Sequence, residues 1–259
     1  MSTSHRRFSA AWSPVLGFAY RFMIAVFIVH GAVSAAAAAS AGDGADAGVQ
    51  HILSKMEDHY RSVSAYTADF SQWTTSVAAS GATTEARGVF YFQKPRRMRW
   101  EYEQPERQIF IALKDTAWLY VPEDRQISLF EMKELMQSPI MRTFFEGVVP
   151  LRESFQASFD AAAATEQTAV LRLTPKQEDP NVRALRVWVD THDYKITEIE
   201  AQDALGNLNR IQFQNQKEMP ALPKELFAFD PDDSIVVLDP SGRKLNREEI
   251  GAIKRRLRD

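Results

Sequence analysis

The amino-acid sequence predicts a mainly β protein, built as one strongly curved antiparallel sheet with helices at one end. Three observations point there. Short segments with period-two alternation follow one another from "AYTADF" to "IQFQNQ". The links between them are a few residues of turn chemistry, such as "PR", "QPE" and "PED", which makes sequential neighbours antiparallel. Around ten or eleven such segments exceed what one flat sheet comfortably holds, so the sheet must curl.

The N-terminal residues read as a secretory signal rather than as part of that sheet. Arg6, Arg7 and Arg21 supply positive charge, an apolar stretch runs from Phe22 to Val33, and "VSAAAAASAG" offers small-x-small cleavage sites. The apolar stretch is short of the roughly 20 residues that span a bilayer. The long basic region also fits an uncleaved N-terminal anchor. The expected organisation is a cleaved signal over 1–39, a sheet domain over 40–240 and a charged C-terminal extension over 241–259. Removing Arg6, Arg7 and Arg21, with no acid among residues 1–39, takes the formal charge from −3 to −6.

"AGVQHILSKMEDHYRSV" carries Ile52, Met56, Tyr60 and Val63 at near-helical spacing and predicts an amphipathic helix. "SAYTADFSQW" then puts Tyr66, Ala68 and Phe70 on one face of a strand. The small, polar "SVAASGATTEARG" predicts a mobile link. Strands follow at "GVFYFQK", "RMRWEYE", "RQIFIAL", "TAWLYVP" and "RQISLFE". "EMKELMQSPIMRTFFEGV" breaks the alternation and predicts one or two short helices, interrupted at Pro139 and ended by Gly147. Strands resume at "ESFQASFD", "AVLRLTP", "ALRVWVD", "KITEIEAQD", "LNRIQFQNQ" and "FAFDP", with a hairpin turn at Gly206-Asn207. "NREEIGAIKRRLRD" predicts a charged, peripheral terminal helix.

Composition excludes several chemistries. The chain of 259 residues is 45% hydrophobic and 25% charged, ordinary for a globular domain with one sizeable core. It has no cysteine, hence no disulfide, thiolate ligand, cysteine nucleophile or cysteine-linked lipid of its own. Its acidic balance provides no field to attract a polyanion, so no nucleic-acid partner is expected. Beyond the signal only His51, His59 and His192 remain. The first two lie eight apart on a helix, unlike the four-residue offset of a helical zinc pair, and His192 sits in the polar turn "VDTHDYK". No phosphate loop, dinucleotide fingerprint or Gly-x-Ser-x-Gly elbow occurs. The expectation is a protein without enzymatic activity, cofactor or metal.

The stretch "FYFQKPRRMRWEYEQP" is the most informative one. Period two places Phe90, Phe92 and Lys94 on one face, and Met98, Trp100 and Tyr102 share a face of the next strand. Pro95, Arg96 and Arg97 fall in the hairpin turn between them. Ile109, Ile111, Trp118 and Tyr120 are expected to extend the same crowded concave face. Pattern alone leaves two readings: a core packed under the helices, or a cavity closed by a lid. The lid would carry Met132, Leu135, Met136, Met141, Phe144 and Phe145, and methionine suits a surface that repacks around flexible guests.

At these residues the sequence resembles the outer-membrane lipoprotein carrier family, LolA. The resemblance runs from the first helix to about Val237. It is carried by "AYTADFSQ", "GVFYFQKPRRMRWEY" with its following "QP", then "WLYVPEDRQ", "LRLTPK", "VWVD", "DALGN" and "LFAFDPDDSIVV", in the family's order. It implies an incomplete β-barrel with a helical lid, acting as a monomeric periplasmic shuttle. Such a shuttle takes acylated lipoproteins from an inner-membrane ABC transporter and passes them to an outer-membrane acceptor. On that resemblance, Phe90, Phe92, Met98, Trp100, Ile111 and Trp118 line the acyl-chain cavity, and Lys94 serves as hinge or latch of the lid. Lys94 stands where the family commonly has arginine, keeping the charge and losing the planar fork. "LKDTAW" departs from the family's aspartate-glycine turn, and "RKLNREEIGAIKRRLRD" lies beyond the matched region. A carrier or sensor of another amphiphile, such as a glycolipid or a stress-signalling lipoprotein, is the alternative on the same sheet.

Overall fold

A computed structural model describes residues 43–136, 151–177, 179 and 182–258. Helix α1 (Asp43–Ser62) leads into β1 (Ala65–Ser76), β2 (Ala82–Gln93), β3 (Arg97–Gln104), β4 (Gln108–Leu113), β5 (Thr116–Val121) and β6 (Gln126–Glu131). Two short helices follow, α2 (Met132–Leu135) and α3 (Leu151–Ser154). Then come β7 (Phe155–Phe159), β8 (Thr168–Pro175), β9 (Ala184–Asp190), β10 (Ile196–Gln202) and β11 (Leu208–Met219). A 3-10 turn (Lys224–Phe227), β12 (Val236–Leu238) and helix α4 (Arg247–Arg258) complete the described chain.

All the strands form one sheet in the order β12-β6-β5-β4-β3-β2-β1-β11-β10-β9-β8-β7. Neighbours are antiparallel except β12, which runs parallel to β6. The sheet does not close, because β7 and β12 are its two edges. β1 is the centre, pairing with β2 along its full length and with β11 on the other side. Residues from distant parts of the sheet, including Phe155 and Leu171 on one half and Phe110 and Leu119 on the other, meet in one apolar cluster. That meeting requires the curl which the strand number predicts.

Two local features set the geometry. The hairpin β1–β2 is longer than alternation suggests: Ser76 pairs with Ala82, so most of the stretch expected to be a mobile link is paired strand. Between β2 and β3 the register shifts after Arg87. A Cβ at Gly88 would stand 1.9 Å from the Glu101 carbonyl oxygen, so only glycine permits this close approach of the two strands. "FAFDP" is not a strand. Phe227 ends the 3-10 turn, Phe229 follows it, and both are buried; the twelfth strand lies further on, at Val236–Leu238.

Over β4–β6 the sheet buries both faces. Its inner face packs against α1 through Val49, Leu53, Met56 and Tyr60, whose spacing of four, three and four makes one helical stripe. Its outer face, over β4–β6, packs in a second cluster with Leu222, Phe227, Phe229, Val237, Leu245 and Leu257. Helix α4 therefore docks on the sheet through Leu257, with Ile250 and Ile253 beside it. Its N-terminus is capped reciprocally, Glu249 N donating to Asn246 Oδ1 and Asn246 N to Glu249 Oε2. Among the described residues no helix is long and apolar enough to cross a membrane.

Candidate functional site

The inner face follows from strand alternation and register. β2 places Phe90 opposite Trp100 and Phe92 opposite Met98 on β3, and Trp100 in turn opposite Phe110 on β4. Side chains at paired positions share a face, so Phe90, Phe92, Met98, Trp100 and Phe110 form one contiguous patch. The rings pack on one another: Phe90 and Trp100 have centroids 4.4 Å apart, and Phe70 meets Trp100 edge-on at 4.9 Å. Phe213, on β11, closes the patch from the far side of β1, 5.9 Å from Phe90. Four of the expected site residues, Phe90, Phe92, Met98 and Trp100, are thus brought together.

Ile111 and Trp118 are not among them. They pair with each other across β4–β5 but point to the outer face, where Trp118 stacks edge-on against Phe229 at 5.2 Å. The structure gives them the opposite parity to that expected from the sequence. Register with Trp100 makes Phe110 and Ala112 the inner residues of β4, and Ala117 and Leu119 those of β5. Ile109 and Tyr120 fall with the outer cluster as well.

Of the expected lid residues, Met132 is buried in the inner cluster, and Leu135 and Met136 pack against it. Met141, Phe144 and Phe145 lie outside the described residues. Alternation also marks Tyr66, Phe70 and Tyr102 as inner residues without distinguishing them as site residues. Phe213 escapes the same reasoning because "RIQFQNQ" surrounds it with polar residues.

Lys94 occupies a junction. Its ammonium donates to the carbonyls of Tyr60, at 2.6 Å, and Arg61, at 2.9 Å, in the last turn of α1. A helix end exposes unpaired carbonyls and partial negative charge, which a lysine satisfies. Burial, and then the nearby Arg61, hold its pKa below the usual lysine value. Among the described residues, then, Lys94 latches the long helix to the β2–β3 turn. The backbone repeats the tie, Lys94 N donating to Ser64 O at 2.9 Å. A third tie comes from Tyr60, whose hydroxyl accepts from the Ile196 backbone N–H at 3.0 Å; burial raises its pKa. Arg99, on β3, bonds Glu101 and the Leu226 carbonyl on the outer face.

The histidines lie apart from this patch. His59 sits at the end of α1, edge-on to Tyr60, with Glu218 at 3.5 Å. Burial lowers its pKa from 6.5, Glu218 opposing. His51 approaches Tyr194, and His192 is exposed in its turn. Among the described residues no group of three potential ligands could hold a metal ion.

What the geometry supplies is an apolar inner face under a helix tied at one end. The model of the family described as "Outer membrane lipoprotein carrier protein LolA" matches residues 61–230, well over half of the chain and every strand from β1 to β11. The chain belongs to the LolA family of lipoprotein carriers. An outer-membrane lipoprotein carrier protein of Albidiferax ferrireducens is 26% identical over 186 residues, covering 69% of this chain and 86% of the relative. Its counterpart in Chromobacterium violaceum is 27% identical over 173 residues, covering 66% and 79%. Among solved structures, a LolA superfamily protein of Nitrosomonas europaea is similar at a TM-score of 0.40 and 12% identity, covering 70% of this chain and 98% of its own. The LolA match ends at residue 230, and β12 and α4 lie beyond it.

Proposed function

We propose that this chain is a periplasmic carrier. It takes the acyl chains of lipoproteins released by an inner-membrane ABC transporter against its inner sheet face and delivers them to an outer-membrane acceptor. The reading is carried by one observation: the stretch matched by the lipoprotein carrier family contains the strands whose inner residues, Phe90, Phe92, Met98 and Trp100, form the apolar patch.

The physical need is clear. Each methylene kept from water is worth about 0.8 kcal/mol, so a chain of roughly fifteen methylenes holds about 12 kcal/mol against crossing water bare. In the structure the inner aromatics cover one another and share one apolar cluster with Val49, Leu53, Met56 and Tyr60 of α1. A guest must replace those contacts, so the cover lifts as the chain enters and the guest's burial offsets the opening. Lys94 and Tyr60 set where α1 pivots, and Met132, Leu135 and Met136 form the part of the cover that follows β6. No nucleotide motif occurs in the sequence, so direction comes from the donor and from a tighter acceptor.

The test is a loading assay. A triacylated lipoprotein is presented in detergent-free buffer, and soluble complex is separated by size. The parent chain should hold the lipoprotein in solution and Phe92→Glu should not. Equal loading by both would overturn the proposal. Free lipid in place of acylated protein in material co-purified from the periplasm would move the reading to another amphiphile.

A further inference from the structure

The inner face changes character along β1. Its inward residues run Tyr66, Ala68, Phe70 and then Gln72 and Thr74. The first three belong to the apolar patch beside the Lys94 turn, and the last two approach the opposite rim. There a chain of hydrogen bonds crosses three strands. The Tyr102 hydroxyl donates to Gln72 Oε1 at 3.0 Å, and Gln72 Nε2 donates to Asn209 Oδ1 at 2.9 Å. The three residues are only 8%, 2% and 5% exposed.

The chain ends unfinished. Asn209 Nδ2 is buried and has no partner, and the neighbouring Thr74 Oγ1 is buried and unpaired as well. A buried amide donor without an acceptor is unfavourable, and native proteins rarely keep one without use. In the structure the chain runs from Tyr102 outward. The tyrosine's single proton goes to Gln72, which commits the Gln72 amide to donating onward and leaves Asn209 presenting N–H groups. The strand neighbours of these amides are small: Ala86 beside Gln72 and Ala201 beside Asn209.

We infer that Asn209, oriented through Gln72 by Tyr102, forms a donor site for a carbonyl oxygen of the ester or amide that joins an acyl chain to its protein. The inference rests on the carrier reading and deepens it. Tails lie over Phe70, Phe90, Trp100 and Phe213, and the linkage reaches the polar rim. Such an end-to-end match fixes the direction in which an amphiphile lies on the face. Asn209 is the contacting residue, and Gln72 and Tyr102 position it.

The experiment compares two probes with equal hydrocarbon: a dipalmitoylglyceryl lipopeptide, which carries ester carbonyls, and its dihexadecyl-ether analogue, which lacks them. Affinities are measured by displacement of a fluorescent fatty-acid probe, with thermal unfolding of each variant run alongside. The parent should prefer the ester probe about tenfold, the scale of one buried hydrogen bond. Asn209→Leu should bring ester affinity down to the ether value and leave ether affinity unchanged; it removes the unpaired Nδ2 but also the acceptor of Gln72 Nε2, so thermal unfolding serves only to confirm that the variant is folded. Gln72→Met should also lose the ester preference. Equal binding of both probes by the parent overturns the donor site and leaves the carrier reading standing. Failure of the parent to bind either probe overturns the carrier reading, and the donor site with it. Ester preference left intact in a folded Asn209→Leu would show a purely structural amide and overturns the inference.

Discussion

Replacing Lys94 by methionine isolates the tie between α1 and the sheet. Methionine keeps most of the apolar stem and removes the ammonium that bonds the Tyr60 and Arg61 carbonyls at 2.6 and 2.9 Å. A hydrogen bond to a charged group is worth about 1.5–3 kcal/mol when well shielded. Water at this helix end re-solvates part of what is lost, since the Arg61 bond lies at the exposed side. The net cost should therefore be about 1–2 kcal/mol, which lowers Tm by roughly 2–8 °C. The loss should be local. The Val63 amide, which closes the last turn onto His59 O, should exchange faster with deuterium, while amides in β2 and β3 keep their protection. If α1 is the cover that lifts, acyl loading should quicken at the same time. Unchanged Tm with unchanged Val63 protection would refute the latch. Slower loading with a frayed α1 would refute the cover.

Other expectations follow from particular contacts. Trp118→Ala should cost about 3–5 kcal/mol by urea unfolding, because Trp118 is buried against Phe229 on the outer face, yet leave acyl affinity of the folded protein as it was. His59 is held neutral by burial, its pKa lying below 6.5 in the folded chain. The unfolded chain therefore takes up that proton first, and this contribution to stability is complete above pH 6.5. It is lost as pH falls toward the folded pKa and is level below it. His59→Gln should flatten that part of a stability–pH curve measured by urea midpoint. Truncation before Arg247 should act on the outer face alone. It removes Leu257 and Ile253 from the outer cluster, so dye binding to exposed apolar surface should rise over β4–β6 while inner-face binding persists.

Much of the fold is legible because one face of most strands is apolar and the other polar. "FYFQ" and "MRWEY" each commit their inward set, and the structure pairs Phe90 with Trp100 and Phe92 with Met98 accordingly. Legibility fails where both faces are buried. "QIFIAL" is apolar at nearly every position because β4 packs inward on the helix-covered core and outward on the segment from Leu222 to Leu257. Alternation then carries no parity, and Ile111 and Trp118 can be placed only through register with Trp100. The β1–β2 hairpin fails for the opposite reason: around Ser76 and Ala82 both faces are polar or exposed, so a paired ribbon looks like a linker. Lys94 stands out as a tethering residue, but its partners on α1 lie 34 and 33 residues away and only the fold brings them together. The Tyr102–Gln72–Asn209 chain leaves no sequence signal, since its members stand on three strands, 30 and 137 residues apart.

The most direct measurement is to load the purified chain with a lipoprotein whose acyl chain carries a photoreactive group near its end, irradiate it, and map the cross-linked peptides by mass spectrometry. Adducts are expected on Phe90, Phe92, Met98 or Trp100 and none on Ile111 or Trp118. Adducts confined to the outer face, or none above those formed with an unacylated control, would contradict this expectation.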